Sequence, residues 1–177
     1  TRLIRKLNIE DKFIFQFAGN LGYAQGLDNI VESIKLITQE KLHFLFIGSG
    51  AMENRIREFQ STNYLNNVTH IGFQDRSAQN DFLNACDVSL VTLNSGMFGL
   101  GVPSKSYNIM ASGKPILVIG DKDSEISLCV KEFNIGWVAQ PNNPKMLARL
   151  FDKIYTECVS GSKNNIVDSR DIAVKYF

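Results

Sequence analysis

Apolar residues fall along this chain in two alternating arrangements. Short, nearly unbroken runs occur at Phe13–Ala18, Leu42–Ile47, Val68–Ile71, Val88–Thr92, Ile116–Ile119 and Ile135–Val138. Runs of this length predict strands buried on both faces. Between them the apolar positions recur every three or four residues, as at Leu27, Ile30, Val31, Ile34 and Ile37. That spacing predicts helices with one buried stripe. Further helices are expected over Met52–Phe59, from about Ser77 (as N-cap) to Ala85, and in a short segment opening at Ser104. Others follow near Ser124–Phe133, from Pro144 to about Cys158, and over Asp168–Phe177. The alternation defines an α/β domain with a parallel sheet of about six strands and helices on both faces. Residues 1–12 read as a helix end or a linker from a missing N-terminal domain. Residues 13–158 form the domain itself, and 159–177 read as a polar linker and a C-terminal helix that docks elsewhere.

Glycine-bearing loops follow four of the strands: Gly19–Gly26, Gly48–Gly50, Gly72–Asp75 and Gly96–Gly101. In a parallel α/β sheet these loops share the carboxyl edge, where ligands bind at the point of strand-order reversal. The fourth loop leads through Val102, Pro103 and Ser104 into a helix whose first turn carries Lys105. A helix start offers unpaired N–H groups and the positive end of the helix dipole, which suit an anion. A cation placed there opposes the dipole unless a bound anion satisfies both. The edge therefore points to a phosphate-bearing ligand.

Composition narrows the partners. With 19 Lys and Arg against 18 Asp and Glu, the formal charge is +1, so no bulk basic field recruits nucleic acid. No apolar run reaches the ~18 residues of a membrane span. The three cysteines, Cys86, Cys129 and Cys158, are far apart and fit buried thiols in a reducing compartment. His43 and His70 have no ligand-like spacing, and no structural metal is expected. The segment Thr1–Lys6 does not resemble a signal peptide, and a first residue other than Met points to a piece of a longer chain.

Motif spacing narrows the ligand. Gly19-x-x-Gly22-x-x-x-Gly26 after the first strand is not the dinucleotide Gly-x-Gly-x-x-Gly. The Walker pattern and the Gly-x-Ser-x-Gly elbow are both absent.

The residues do resemble a known family. Phe17-Ala18-Gly19-Asn20-Leu21-Gly22, Phe46-Ile47-Gly48-Ser49-Gly50, Ile71-Gly72-Phe73, Ala85-Cys86-Asp87-Val88 and Val102-Pro103-Ser104-Lys105 through Asn108-Ile109-Met110-Ala111-Ser112-Gly113-Lys114-Pro115 occur in order. Together they resemble the carboxyl-terminal, donor-binding domain of retaining glycosyltransferases of the GT-B fold, family 4. The Pro-Ser-Lys variant is most similar to bacterial enzymes that build capsule, exopolysaccharide or O-antigen. The resemblance implies one Rossmann-like half of a GT-B enzyme, transferring a hexosyl or N-acetylhexosaminyl group from a nucleotide-sugar, with UDP favoured. It implies a lipid-linked or glycan acceptor held by a missing N-terminal domain, without which this domain is inactive. It also implies a cytoplasmic setting, with any contact to the inner membrane residing in the other half.

Carried over position by position, the resemblance places Gly19, Asn20, Leu21 and Gly22 at the diphosphate. Gly72, Phe73 and Gln74 fall at the base, and Ser104 and Lys105 near the leaving phosphates. Of the family's Glu pair, the second falls on Asn108 and the first near Leu100. Asn108 still offers a carbonyl oxygen and an amide donor toward ribose hydroxyls. The basic residues common in the first glycine loop are replaced by Tyr23, Ala24 and Gln25. Lys105 is therefore the candidate catalytic cation, and no metal or other cofactor is expected.

Two other readings fit the same residues. A sugar-nucleotide epimerase of similar build would need a carboxylate or His near the sugar, and neither His lies in a glycine loop. A non-catalytic nucleotide-binding module would explain the absent Glu pair.

Overall fold

The computed structural model describes residues 1–63, 66–94, 96, 104–161 and 166–176, with Ser104 described for its backbone alone. Six strands form one parallel sheet: β1 (Phe13–Ala18), β2 (Leu42–Ile47), β3 (Val68–Ile71), β4 (Val88–Thr92), β5 (Ile116–Ile119) and β6 (Gly136–Ala139). Their order is β3-β2-β1-β4-β5-β6. The chain winds outward from β1 through β2 to β3 and then returns to place β4 against the other side of β1. Phe15 pairs with Phe44 on one flank and with Val88 on the other. The reversal between β1 and β4 opens the crevice in which such sheets bind ligands. The α/β, Rossmann-like class expected from the alternation is the one observed.

Among the described residues eight α-helices pack with the sheet: α1 (Arg2–Leu7), α2 (Leu27–Ile34), α3 (Glu53–Thr62), α4 (Gln79–Leu83), α5 (Ser104–Ala111), α6 (Glu125–Glu132), α7 (Pro144–Val159) and α8 (Ser169–Tyr176). Successive strand residues face opposite ways, and the core divides accordingly. Phe15, Phe17, Phe44, Phe46, Leu90 and Leu117 meet α2, α3 and α7 on one face. Ile14, Leu45 and Ile47 meet the α1 segment on the other, while Val91, Ile116 and Val118 meet α5 and α6 there. At the centre Phe151 of α7 sits edge-on to Phe15 and Phe44, with ring centroids 4.7 and 4.9 Å apart. Each such ring contributes about 1.5–3 kcal/mol by burial.

Two polar residues anchor elements to β1. The Gln16 side-chain amide donates to the carbonyl of Phe82 at 2.7 Å, tying the end of α4 to the strand. Asp87 accepts from the Ile14 N–H at 2.8 Å.

Residues 1–12 hold α1, in line with the helix-end reading; its Arg2 and Leu3 N–H groups donate to Asp81, and Ile9 is buried in the core. Three local expectations change. Ser77 is not the helix cap. Asp75 is extended and accepts from the Ser77 N–H at 2.8 Å, so a 3₁₀ turn over Arg76–Ala78 precedes α4. The C-terminal helix docks on this domain: the Ser169 hydroxyl lies within reach of the Met110 and Lys114 carbonyls, and Arg170 donates to Ala111. It thereby satisfies carbonyls left over at the end of α5. Of the three cysteines only Cys86 is fully buried, and burial pushes its thiol up to about 11.

Candidate functional site: a cleft over the β1–β4 crevice

The loops leaving β1 and β2 are laced together. Gly19 N–H donates to Ile47, Leu21 N–H to Ser49 and Met52 N–H back to Leu21. Gly48 has φ +136°, and a Cβ there would run into the Gly19 carbonyl. Gly50, at φ +153°, leaves the space taken by the Asn20 side chain and the Leu21 backbone. A side chain at either position would separate the loops, so these two glycines set the floor of the site.

Beyond Gly22 the chain makes a 3₁₀ turn over Tyr23–Gln25 that closes on Gly26 in the left-handed region, φ 60°. Asn94, just after β4, holds this turn. Its side-chain amide donates to the Tyr23 carbonyl at 3.0 Å and its N–H to the Ala24 carbonyl at 3.3 Å. The exits of β1 and β4 are thereby joined across the switch point.

α5 places Lys105 over this floor. The ammonium lies 4.1 Å from the centroid of the Phe17 ring. It donates to the Gln25 side-chain oxygen at 3.3 Å and stands 3.9 Å from where a Cβ on Gly19 would lie. Burial pushes the ammonium down to about 8 from the usual 10.5. No ion pair to it is formed among the described residues. Asn108, one turn further along α5, shares the same face and is exposed.

The exit of β3 supplies the far wall. Phe73 is 76 % exposed, which is high for an aromatic ring and sets it apart from the core. Beside it the Gln74 amide donates back to the carbonyls of Gly72 and Phe73 at 3.1 and 3.2 Å. The result is a cleft of about 440 Å³ walled by Gly19, Asn20, Gly48 and Ser49, by Phe73 and Gln74, by Gln79, Phe82 and Leu83 of α4, and by Lys105, Asn108 and Ile109 of α5. That volume lies in the range of small-molecule sites.

Of the residues singled out in the sequence, Gly19, Asn20, Phe73, Gln74, Lys105 and Asn108 meet in this cleft. Leu21, Gly22 and Gly72 do not line it. The Leu21 side chain is fully buried and both its backbone polar groups are taken by the second loop, so it is a packing residue. Gly22 is the extended residue before the 3₁₀ turn, and Gly72 serves as an acceptor for Gln74. Ser104 opens α5. Leu100 and the Gly96–Gly101 loop, apart from Gly96, lie outside the described residues, as does Pro103. Gly96 N–H donates to Asp121 after β5. Gln79 is an ordinary polar residue in sequence that only the fold brings to the cleft, and Gln25, where the family often carries a basic residue, reaches the site through its contact with Lys105. Among the described residues no group of three or more His, Cys, Asp or Glu side chains is placed to share a metal ion. No helix among them is long and apolar enough to cross a membrane.

A parallel sheet of order 3-2-1-4-5-6, with a lysine facing a glycine loop across its switch point, is a doubly wound, Rossmann-like α/β domain. The chain belongs to the family described as glycosyl transferases group 1, whose profile matches residues 1–166. Its fold is that of the carboxyl-terminal GT-B domain. It is 46 % identical over 143 residues, 81 % of its length, to the probable glycosyltransferase WbjE of Pseudomonas aeruginosa. It is 27 % identical over 78 % of its length to the putative colanic acid biosynthesis glycosyl transferase WcaI of Escherichia coli. It spans 36 % and 34 % of those two proteins. Among solved structures, Anabaena HepE in complex with UDP and glucose matches 99 % of this chain and 47 % of its own, with a TM-score of 0.76 and 18 % identity. That likeness speaks for the fold.

Proposed function

We propose that this domain binds the nucleotide diphosphate of a UDP-sugar and forms the donor half of a retaining glycosyltransferase in bacterial surface polysaccharide synthesis. The observation that carries the reading is Lys105. Its ammonium is held over an apolar ring at the switch point, without an ion-pair partner among the described residues. A buried cation of this kind is costly unless an anion joins it, and a diphosphate on the glycine floor is such an anion. The UDP complex of HepE and the colanic acid assignment of WcaI support the choice of nucleotide and pathway class.

In this reading Gly19 and Asn20 approach the diphosphate, and Phe73 offers its exposed face to the base. Gln74 flanks the base, and Asn108 meets the ribose hydroxyls. As the sugar–phosphate bond breaks, the sugar carbon gains oxocarbenium character and negative charge grows on the departing phosphate. Lys105 and the N–H groups opening α5 at Ser104 sit where that charge appears, which lowers the barrier. The proposal assigns the positive charge to these groups and uses no metal. The lipid-linked or glycan acceptor is taken up by a separate N-terminal domain at the cytoplasmic face, and the donor domain alone binds without transferring.

Calorimetric titration of UDP into the parent and Lys105→Ala tests the site. A charge-assisted contact is worth about 1.5–3 kcal/mol, so the variant should bind roughly ten- to a hundredfold more weakly. Equal affinity removes Lys105 from the site. Full-length protein given UDP-sugars and a lipid-linked acceptor should yield a glycosylated lipid. Epimerised sugar nucleotide, or binding with no product, would favour the epimerase or the non-catalytic module instead.

A further inference from the structure

The contact between Gln25 and Lys105 spans 80 positions of sequence and has a consequence for how the cation is used. An ammonium has three N–H donors. One reaches the Gln25 oxygen, and the nitrogen itself lies over the Phe17 ring. Gln25 is a well-anchored acceptor. It ends the 3₁₀ turn, its own N–H donates to Gly22 at 3.1 Å, and Asn94 grips the two residues before it. The turn is therefore fixed to β4 independently of Lys105.

We propose that Gln25 is a positioning residue, which aims the Lys105 ammonium into the cleft through a neutral amide and so leaves its whole charge for the diphosphate. The inference rests on the phosphate-binding reading above and adds a residue to it. A carboxylate at position 25 would hold the ammonium as firmly. It would also neutralise it, and a diphosphate would then meet a negative neighbour at short range. A basic side chain there would repel Lys105. An amide alone combines a directed acceptor with no net charge. Among the described residues no charged group forms an ion pair with the ammonium, and burial lowers its pKa.

The test combines two measurements on the protein and on Gln25→Glu and Gln25→Met. The first follows the Lys105 side-chain nitrogen by NMR through a pH titration without nucleotide. The second titrates UDP and inorganic pyrophosphate by calorimetry. In the parent the ammonium should titrate near 8. Gln25→Glu should raise that value by at least a unit and weaken UDP by about tenfold or more, since one pKa unit corresponds to a tenfold change in equilibrium. Gln25→Met, of similar size but without an acceptor, should leave the ammonium low and weaken UDP by about two- to tenfold, because the ammonium loses the acceptor that aims it. An unmoved Lys105 titration in Gln25→Glu overturns the inference, because the two groups are then not in contact. So does UDP binding of parental strength in both variants. A parent that binds neither UDP nor pyrophosphate overturns the phosphate-binding reading itself, and this inference with it. A purely structural role for Gln25 would lower the melting temperature of both variants alike without raising the lysine titration in Gln25→Glu.

Discussion

The Lys105 ammonium stands 4.1 Å from the centre of the Phe17 ring, and Phe17 is itself fully buried. A cation is thus held against the rim of the hydrophobic core, where water cannot fully solvate it. Burial lowers its pKa to about 8, which gives the site a pH dependence with a definite sign. The folded chain releases this proton near 8, whereas the unfolded chain keeps it to about 10.5. The buried ammonium therefore costs stability below pH 8, and that cost is relieved between about 8 and 10.5. A bound diphosphate favours the charged form and draws the pKa back up. UDP affinity should be level near pH 7, where its phosphates are already largely ionised. Above pH 8 it should fall by up to about tenfold per unit. Lys105→Arg stays protonated throughout and should bind with a flat profile over the same range. Calorimetry at pH 7.0, 8.5 and 9.5 decides this, and a parent Kd that is the same at 7.0 and 9.5 would sink it.

Phe73 separates function from stability. A ring exposed to 76 % contributes little to the core, so Phe73→Ala should change unfolding free energy by no more than about 0.5 kcal/mol. Stacking of one base on an aromatic ring is worth roughly 1–3 kcal/mol. The same variant should then weaken UDP by about five- to a hundredfold and leave pyrophosphate binding unchanged. Equal loss of both ligands would mean that Phe73 acts through the loop rather than on the base.

How much of this was legible in the sequence follows from which forces act locally. The strands were legible because a parallel sheet covered on both sides demands unbroken apolar runs. Phe13–Ala18 and Leu42–Ile47 supply them with the bounds later observed. Gln16, the polar residue in β1, looks like an exception until the Phe82 carbonyl is placed beside it. Asp75 and Ser77 are both good caps. Sequence alone does not show that the chain is extended at Asp75, which hands the cap to that residue. Leu21 is placed at the diphosphate by the resemblance alone, although an apolar side chain there has the core directly beneath. Gln79 carries no periodic or motif signal, and Gln25 stands out only by replacing a basic residue. The contact of Gln25 with Lys105 crosses the switch point, and only the folded chain makes it.

Gly48 tests the floor of the site. Its φ of +136° lies where side chains are strained, and a Cβ would strike the Gly19 carbonyl backbone. Backbone cannot move aside as the end of a flexible side chain can. Gly48→Ala should cost at least about 2 kcal/mol, combining unfavourable φ with a backbone clash. It should also displace Gly19 from beneath Lys105. Urea unfolding measures the first effect, and UDP affinity of the folded fraction measures the second. Stability within 0.5 kcal/mol of the parent would show that the two loops are not packed as closely as this.

His43 gives a prediction remote from the cleft, which tests the sheet itself. It lies on β2, 2 % exposed, with its Nε2 2.9 Å from the Thr69 hydroxyl of β3. Burial first, and the neighbouring Lys12 charge second, push its pKa down from 6.5 to about 4, with Asp11 opposing. The unfolded chain therefore takes up a proton near 6.5 that the folded chain refuses until about 4. Stability contributed by the neutral ring is complete above pH 6.5 and is lost as the pH falls toward 4. At 1.36 kcal/mol per unit the loss is up to about 3 kcal/mol. His43→Gln keeps an amide that can meet Thr69 but cannot be protonated. Urea unfolding at pH 7 and pH 4.5 should show the parent losing more stability between the two than the variant does, carboxylate contributions being common to both. An imidazole resonance of His43 that titrates near 6.5 would place the ring in water, and the β2–β3 pairing described above could not then be correct.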